Sequence, residues 1–426
     1  MESLPRTRAI AALAEARQDI DAAPAHASAA STPRYGATSV LEGARTRRPA
    51  GKPPAGCDGG VLHLVTSTQR RGAQVFAVDL AGELADLGLP GDVVALNDGG
   101  GLPVAWAGRG RFHPVTLREL RRRARRSGVV VAHGSATLLA AFQATRATSI
   151  PFVYRGIGEP DHWVSGALRR GRVGLMLRRA ARVVALWPAA RGRLIQRYAL
   201  DERRVVTIPN GVRVRDFPLA TPETRRSARA ELGITNGGPV VSFVGSLTDE
   251  KDPLAAVRAV AAIDGTRLVV AGDGSLSPEV RVLADRLLPD RAHFLGPVGN
   301  VAPILTASDA LVLPSRTEGL PGALIEAGFV GLPVVATDVG GVAEIVEDGA
   351  TGALVSPGDD QALTRALARV LEEPFDGRRA RDRCRALFGM EVVAEPWAQL
   401  LRSLCIESGR PAASHPSIAA TTRCAS

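Results

Sequence analysis

The hydrophobic pattern of this chain changes period at regular intervals. Short unbroken apolar runs, rich in valine, alternate with longer stretches of mixed polarity. A first set of runs reads VLHLVTS, DVVALN, VVVAHGS, PFVYRG, RVVALW and RVVTIPN. A second reads VVSFVGS, RLVVAGDG, AHFLGPV, ALVLPS, PVVATDVGG and ALVSPGD. Apolar runs without polar alternation belong to strands buried on both faces, as in parallel sheets. The stretches between them predict helices at 72–87, 116–126, 134–146, 189–199, 252–263, 277–288, 321–330, 342–347 and 360–372. Strand then helix, performed twice over, predicts two α/β domains, each a Rossmann-like doubly wound parallel sheet. The rhythm pauses at VRDFPLATPETRRSARAELG, where two prolines and a charged stretch place a boundary near 216–225.

Two such domains in tandem face each other across a cleft lined by the carboxyl ends of their strands, where ligands bind. The expected organisation is a disordered extension at 1–58, a first domain at 59–216 and a second at 217–390. A helix at 391–407 is expected to return to the first domain, and 408–426 reads as a disordered tail.

Composition narrows the class. A chain of 426 residues holds two or three domains at roughly 100–200 residues each. No apolar run approaches the ~18 residues of a transmembrane helix, and the N-terminus lacks the apolar core of a signal peptide. A cytoplasmic protein is expected. Cys57, Cys384, Cys405 and Cys424 form no C-x-x-C pair, and the histidines show no H-x-x-x-H spacing. Neither a disulfide framework nor a zinc site is expected.

The formal charge is +10, and it is concentrated. Residues 101–200 hold 19 arginines against 3 acidic residues, so the rest of the chain is net acidic. Such a field attracts anionic lipid, phosphorylated ligands or nucleic acid; a solvated arginine-rich surface is the plainer reading. Nucleic acid is disfavoured because no aromatic stacking platform accompanies the charge. ALRRGRVGLMLRRAAR folds as a basic helix with an apolar stripe, suited either to an anionic membrane at the inner face of the cell membrane or to ordinary packing on a sheet. Lysine occurs only at Lys52 and Lys251. A lysine kept in a folded region of so arginine-rich a chain suggests a need for a compact ammonium.

No G-x-G-x-x-G follows the first strand and no G-x-x-x-x-G-K-[ST] occurs, which disfavours a nicotinamide enzyme and a P-loop NTPase. The stretch SRTEGLPGALIEAG reads as strand end, glycine corner and helix. Free N–H groups and the positive dipole end at such a helix start form a phosphate seat. Gly319 and Gly322 would let the backbone approach a ligand closely. Glu318 stands just before the helix and Glu326 more than one turn inside it. Spacing alone does not separate them from a dipole-favoured carboxylate and a solvated one. Glu223 and Glu231 repeat the spacing in a charged linker, without the corner.

Residues 240–358 resemble the nucleotide-sugar-binding domain of family-4 retaining glycosyltransferases (glycosyl transferases group 1), which have the GT-B fold. The pieces VVSFVGSLTDEKDP, LVVAGDGS, HFLGPV and ASDALVLPSRTEGLPGALIEAGFVGLPVVATDVGGVAEIVEDGATGALVSPGD carry the likeness in order. VLHLVTSTQRRGAQ, VVVAHGS and VVTIPNGVRVRDFP extend it more loosely to the first domain, so that it covers roughly residues 60–405.

The resemblance implies an acceptor domain followed by a nucleotide-sugar donor domain. It implies that Glu318 contacts hydroxyls of the transferred sugar and that Glu326 accepts hydrogen bonds from the ribose diol, a role suited to an acceptor-only carboxylate. The corner Gly319, Leu320, Pro321 and Gly322 would hold the diphosphate. Lys251 falls at the family's diphosphate lysine, where an ammonium offsets charge on the leaving group. Gly245 matches, but Ser246 stands where arginine is usual; Arg71 or Arg316 would then supply the cation. His133 corresponds to a histidine facing the sugar across the cleft, although a lone histidine after an apolar strand is otherwise structural. Gly72 opens the first helix near phosphate or acceptor. Gly272, Asp273 and Val298 would frame the base, a tight turn being the alternative for GDG. Trp187 and Pro188 replace the family's Ser-Glu.

The implied function is retaining transfer of a sugar from a nucleotide diphosphate sugar to a glycan or lipid-linked acceptor, in polysaccharide or glycolipid biosynthesis. No cofactor or metal is implied. The alternative is a non-catalytic nucleotide-sugar-binding scaffold. A phosphorylase would need a pyridoxal-phosphate lysine, and neither lysine has a suitable setting.

Overall fold

The computed structural model describes residues 59–407 except 109, 111–112, 147, 160–165, 235–236 and 374. The segments expected to be disordered, 1–58 and 408–426, lie outside the described residues.

The first sheet contains β1 (Val61–Ser67), β2 (Gly91–Asn97), β3 (Ala105–Trp106), β4 (Val129–His133), β5 (Phe152–Arg155), β6 (Arg182–Ala185) and β7 (Val205–Thr207). Their spatial order is β3-β2-β1-β4-β5-β6-β7, parallel throughout. The second contains β8 (Val240–Val244), β9 (Arg267–Ala271), β10 (Ala292–Gly296), β11 (Ala310–Leu313), β12 (Val334–Thr337) and β13 (Gly352–Val355), in the order β10-β9-β8-β11-β12-β13. The second sheet is also parallel. Strand order reverses between β1 and β4 and again between β8 and β11. The ends of those four strands and the loops leaving them hold Arg70–Arg71, His133–Gly134, Gly245–Ser246 and Ser315–Glu318, so the switch points gather the motifs.

The two α/β domains are those expected from the apolar runs. β4 shows why: all five of its residues are buried, with helices packed on either face. Three differences have physical causes. β3 is a two-residue exposed edge strand, too short to leave a pattern. The charged segment after the boundary is a helix, Pro222–Glu231, with Thr221 forming a capping box. Only Ala228 of that helix is buried, so no apolar stripe announced it. The basic helix Gly377–Phe388 likewise buries just Ala380, Cys384 and Phe388.

The helix Met390–Glu407 lies against the first sheet's side of the molecule. Trp397, Leu401 and Leu404 share a core with Phe76, Leu80 and Val131, and the Arg402 guanidinium donates to Leu87 O at 2.7 Å. Truncating a side chain as buried as Trp397 typically costs about 3–5 kcal/mol. Outward and return connections between the domains touch: Val212 N donates to Phe388 O at 2.9 Å and Met390 N to Val212 O at 2.9 Å. Cys405 is disulfide-bonded, although no disulfide framework was expected, whereas Cys384 is a buried free thiol. Among the described residues no helix is long and apolar enough to cross a membrane.

Candidate functional site

The loop after β11 builds the centre of the site. Ser315 is fully buried, and its carbonyl accepts from Thr337 Oγ1 at 2.5 Å. Ser315 Oγ donates to Glu318 Oε1 at 2.6 Å. The chain then turns through the corner 319–322 into the helix Gly322–Val330, which has no side-chain cap. Its first-turn N–H groups are therefore left for a ligand or water. The helix ends at Gly331, whose φ of 76° is left-handed.

Lys251 meets Glu318 across this loop, Nζ to Oε1 at 2.5 Å. The carboxylate is 7% exposed, so the pair is held in a largely dry place. Lys251 is positioned by Asp252, whose φ of 44° is left-handed and strained for a non-glycine residue. Asp252 caps the helix Pro253–Ala261 through Ala255 N at 3.3 Å and accepts from Arg316 at 2.8 Å. Arg316 N also donates to Glu250 O at 2.8 Å. Arg316 thus ties the two loops together, and its charge is already engaged.

Glu326 lies one turn up the helix, half-buried. Burial pushes its carboxyl up to about 7; Arg70 pulls it down, and Asp79 pushes it further up. Both modulating groups belong to the first domain, on either side of the start of the helix Gly72–Asp86. Gly72 opens that helix, and its N-cap, Arg71, makes no side-chain capping bond. Arg70, not singled out by the sequence, is therefore the arginine whose charge reaches Glu326.

The nucleotide-side loops pack tightly. A Cβ on Gly272, whose φ is 143°, would stand 1.8 Å from Gly245 O, and one on Gly274 2.3 Å from Leu247 O. Asp273 accepts from Ser277 Oγ at 2.5 Å and Gly274 N at 2.8 Å, which hold its carboxyl below the usual range. That is a turn anchored to the next helix. Ser246 is exposed, with Oγ 3.5 Å from Thr248 Oγ1. Val298 directs its side chain into the cluster of Val240, Val269 and Ile304.

Two expectations need correction. Gly319 is required by close approach to protein: its Cβ would stand 2.1 Å from Ile157 O of the first domain. At Gly322, by contrast, a Cβ would make only an ordinary contact, 3.8 Å from Glu326 Oε1. His133 does not face the cleft. It is 2% exposed, with Nε2 3.1 Å from His63 Nδ1 and Nδ1 3.5 Å from Arg155. Trp397 of the returning helix stacks on it at 6.4 Å between ring centroids. Burial, then Arg155, then His63 drive its basicity well down, so the ring is neutral.

The sequence also missed residues that join the domains. Arg155, at the end of β5, donates to Asn210 Oδ1, and Asn210 Nδ2 donates to Leu320 O at 2.5 Å. Trp187, noted in the sequence only as a departure from the family, is 1% exposed, and a Cβ on Gly341 would stand 3.2 Å from its ring. A charge closing the apolar strand PFVYR was the available signal for Arg155. Among the described residues no group of three or more His, Cys, Asp or Glu could hold a metal ion.

Comparison with known proteins gives a consistent picture. Residues 238–373 match the model for "Glycosyl transferases group 1", and residues 70–216 that for "Glycosyltransferase Family 4". A D-inositol 3-phosphate glycosyltransferase of Mycobacterium avium (strain 104) is 36% identical over 201 residues, 45% of this chain and 47% of that protein. That of Nocardia farcinica (strain IFM 10152) is 32% identical over 243 residues, 53% of this chain and 51% of that protein. The chain thus spans about half the length of the curated relatives it matches. Anabaena Alr3699/HepE, solved in complex with UDP and glucose, superposes with a TM-score of 0.72 at 22% identity, covering 80% of this chain and 99% of that one. WaaG, a glycosyltransferase involved in lipopolysaccharide biosynthesis, superposes at 0.62 with 18% identity, again covering 80% and 99%. At these identities the likeness speaks for the fold alone.

Proposed function

This chain belongs to the group 1, family 4 glycosyltransferases of GT-B fold, and from that premise we propose that it moves a sugar, with retention, from a nucleotide diphosphate sugar to a glycan or lipid-linked acceptor. The observation that carries the reading is the uncapped helix start at Gly322, flanked by the Lys251–Glu318 pair and, one turn on, by Glu326.

In this reading the diphosphate rests on the free N–H groups of the helix, where the dipole favours negative charge. Lys251 has three N–H donors, one of them used by Glu318, so two remain for phosphate oxygens. Both partners of Glu318 use Oε1, so Oε2 is offered to a sugar hydroxyl. Ionised Glu326 accepts from the ribose diol, with Arg70 favouring the charged form. The bond from the anomeric carbon to the diphosphate oxygen breaks, and the acceptor hydroxyl attacks from the same face. Its proton passes to the departing diphosphate. The protein supplies orientation and charge stabilisation.

The acceptor is proposed to be presented from a membrane surface. The helix Ala167–Arg179 turns Val173, Gly174, Met176 and Leu177 inward, while Leu168 stays 82% and Leu175 59% exposed among arginines. Apolar side chains within a basic face suit an anionic bilayer.

Thermal-shift titration against a panel of nucleotide diphosphate sugars tests the donor reading, since a ligand specific for the folded state stabilises it. One donor should raise Tm and be hydrolysed slowly by the parent protein. Glu318→Gln and Lys251→Ala should remain folded and lose about 10²–10³ in turnover. Equal turnover in these variants would refute the reading; binding without any turnover would instead make the protein a scaffold.

A further inference from the structure

Arg155 is an unusual residue to find where it is. It is 1% exposed, and burial lowers its basicity to about 9. Among the described residues it has no carboxylate partner: the guanidinium lies 3.8 Å over the Phe76 ring, reaches His133 Nδ1 and donates to Asn210. A buried charge stabilised by neutral groups alone is costly, so its neighbours must be held in one arrangement.

The hydrogen-bond inventory permits a single arrangement. Arginine offers donors only, so His133 Nδ1 must accept; His133 Nε2 then carries the proton and donates to His63 Nδ1. On the other side Asn210 must turn its oxygen to Arg155 and its amide nitrogen to Leu320 O, because a carbonyl only accepts. The line runs from the first sheet, through β4 and β5, to the middle of the corner 319–322. Asn210 stands where the two interdomain connections meet: a Cβ on the adjacent Gly211 would come 2.9 Å from Met390 Sδ. Two further contacts close the same seam, Ile157 O against Gly319 and Trp187 against Gly341.

We propose that Arg155 and Asn210 form a positioning latch, by which the first domain holds the corner 319–322 and so sets the geometry of the helix start and of Glu318 in the second. Neither residue touches the donor. The latch as a mechanical element stands on the contacts above; its effect on transfer rests on the donor reading of the corner.

Asn210→Asp separates the two bonds that Asn210 makes. A carboxylate accepts from Arg155 at least as well as the amide oxygen does and supplies the missing counter-charge. It has no N–H for Leu320 O and opposes that carbonyl with a second acceptor. In the full chain, Asn210→Asp should melt at or above the parent temperature, whereas Asn210→Ala, which strands Arg155, should melt lower. Hydrogen exchange of the amides in 318–323 should nonetheless quicken about tenfold in Asn210→Asp, the loss of roughly one hydrogen bond. Turnover of the donor found by thermal shift should fall about tenfold, because the latch sets the geometry of Glu318 and of the helix start. Parent-like exchange at 318–323 in Asn210→Asp would overturn the latch, as would a loss of stability equal to that of Asn210→Ala. If the parent turns over no donor, the donor reading fails, and the exchange and melting results still decide the latch.

Discussion

Replacing Glu326 with glutamine should make the protein more stable and less able to hold its ligand. The Glu326 carboxyl is lifted from 4.5 to about 7, chiefly by burial. Its folded value lies above its unfolded one, so between pH 4.5 and 7 the folded protein binds a proton that the unfolded chain does not. Stability from this group is complete below that window and is lost as pH rises through it. At about 1.4 kcal/mol per unit, ionised Glu326 costs at most about 3 kcal/mol at pH 8. Because the residue is half-buried, screening reduces this to about 1–3 kcal/mol. Glutamine carries no such cost. Melting followed by circular dichroism should show Glu326→Gln above the parent by roughly 3–10 °C at pH 8, with the gap closing towards pH 4.5. The same variant should bind a nucleoside diphosphate about tenfold more weakly, because a charge-assisted acceptor is gone. A gap that does not change with pH would refute the electrostatic account, and unchanged affinity would remove Glu326 from the ligand site.

Acid should destabilise the first domain. Burial drives His63 down to about 3, so each pH unit below 6.5 removes about 1.4 kcal/mol, or about 2 kcal/mol by pH 5. Urea unfolding at pH 7 and pH 5 should show a smaller pH difference for His63→Asn than for the parent; equal differences would refute this. Sedimentation with vesicles checks the membrane contact. The protein should pellet with anionic vesicles at low salt and much less at high salt, and Leu168→Ser with Leu175→Ser should weaken this. Equal pelleting with neutral vesicles would count against the basic helix as the docking element.

Much of this protein was legible from its apolar runs. Each run became a strand, because a strand covered on both faces must be apolar throughout and a parallel sheet leaves few other solutions. The corner between Glu318 and Glu326 was legible because glycine, proline and a helix start are local features. Pro222–Glu231 was not: a helix that buries one alanine has no stripe to read.

What the sequence by itself determined was therefore the pair of sheets, the loops at their carboxyl ends and the helix start at Gly322. Tertiary structure alone decided which side chains meet there. Lys251 and Glu318 are 67 residues apart, and Asn210 and Leu320 are 110. His133 sits at the strand end where a cleft residue is expected, yet a helix from the far end of the described chain covers it with Trp397. Periodicity records which face of an element is buried, a property of neighbours along the chain. Which charge finds which partner depends on how rigid elements from distant segments are docked, and no local pattern carries that.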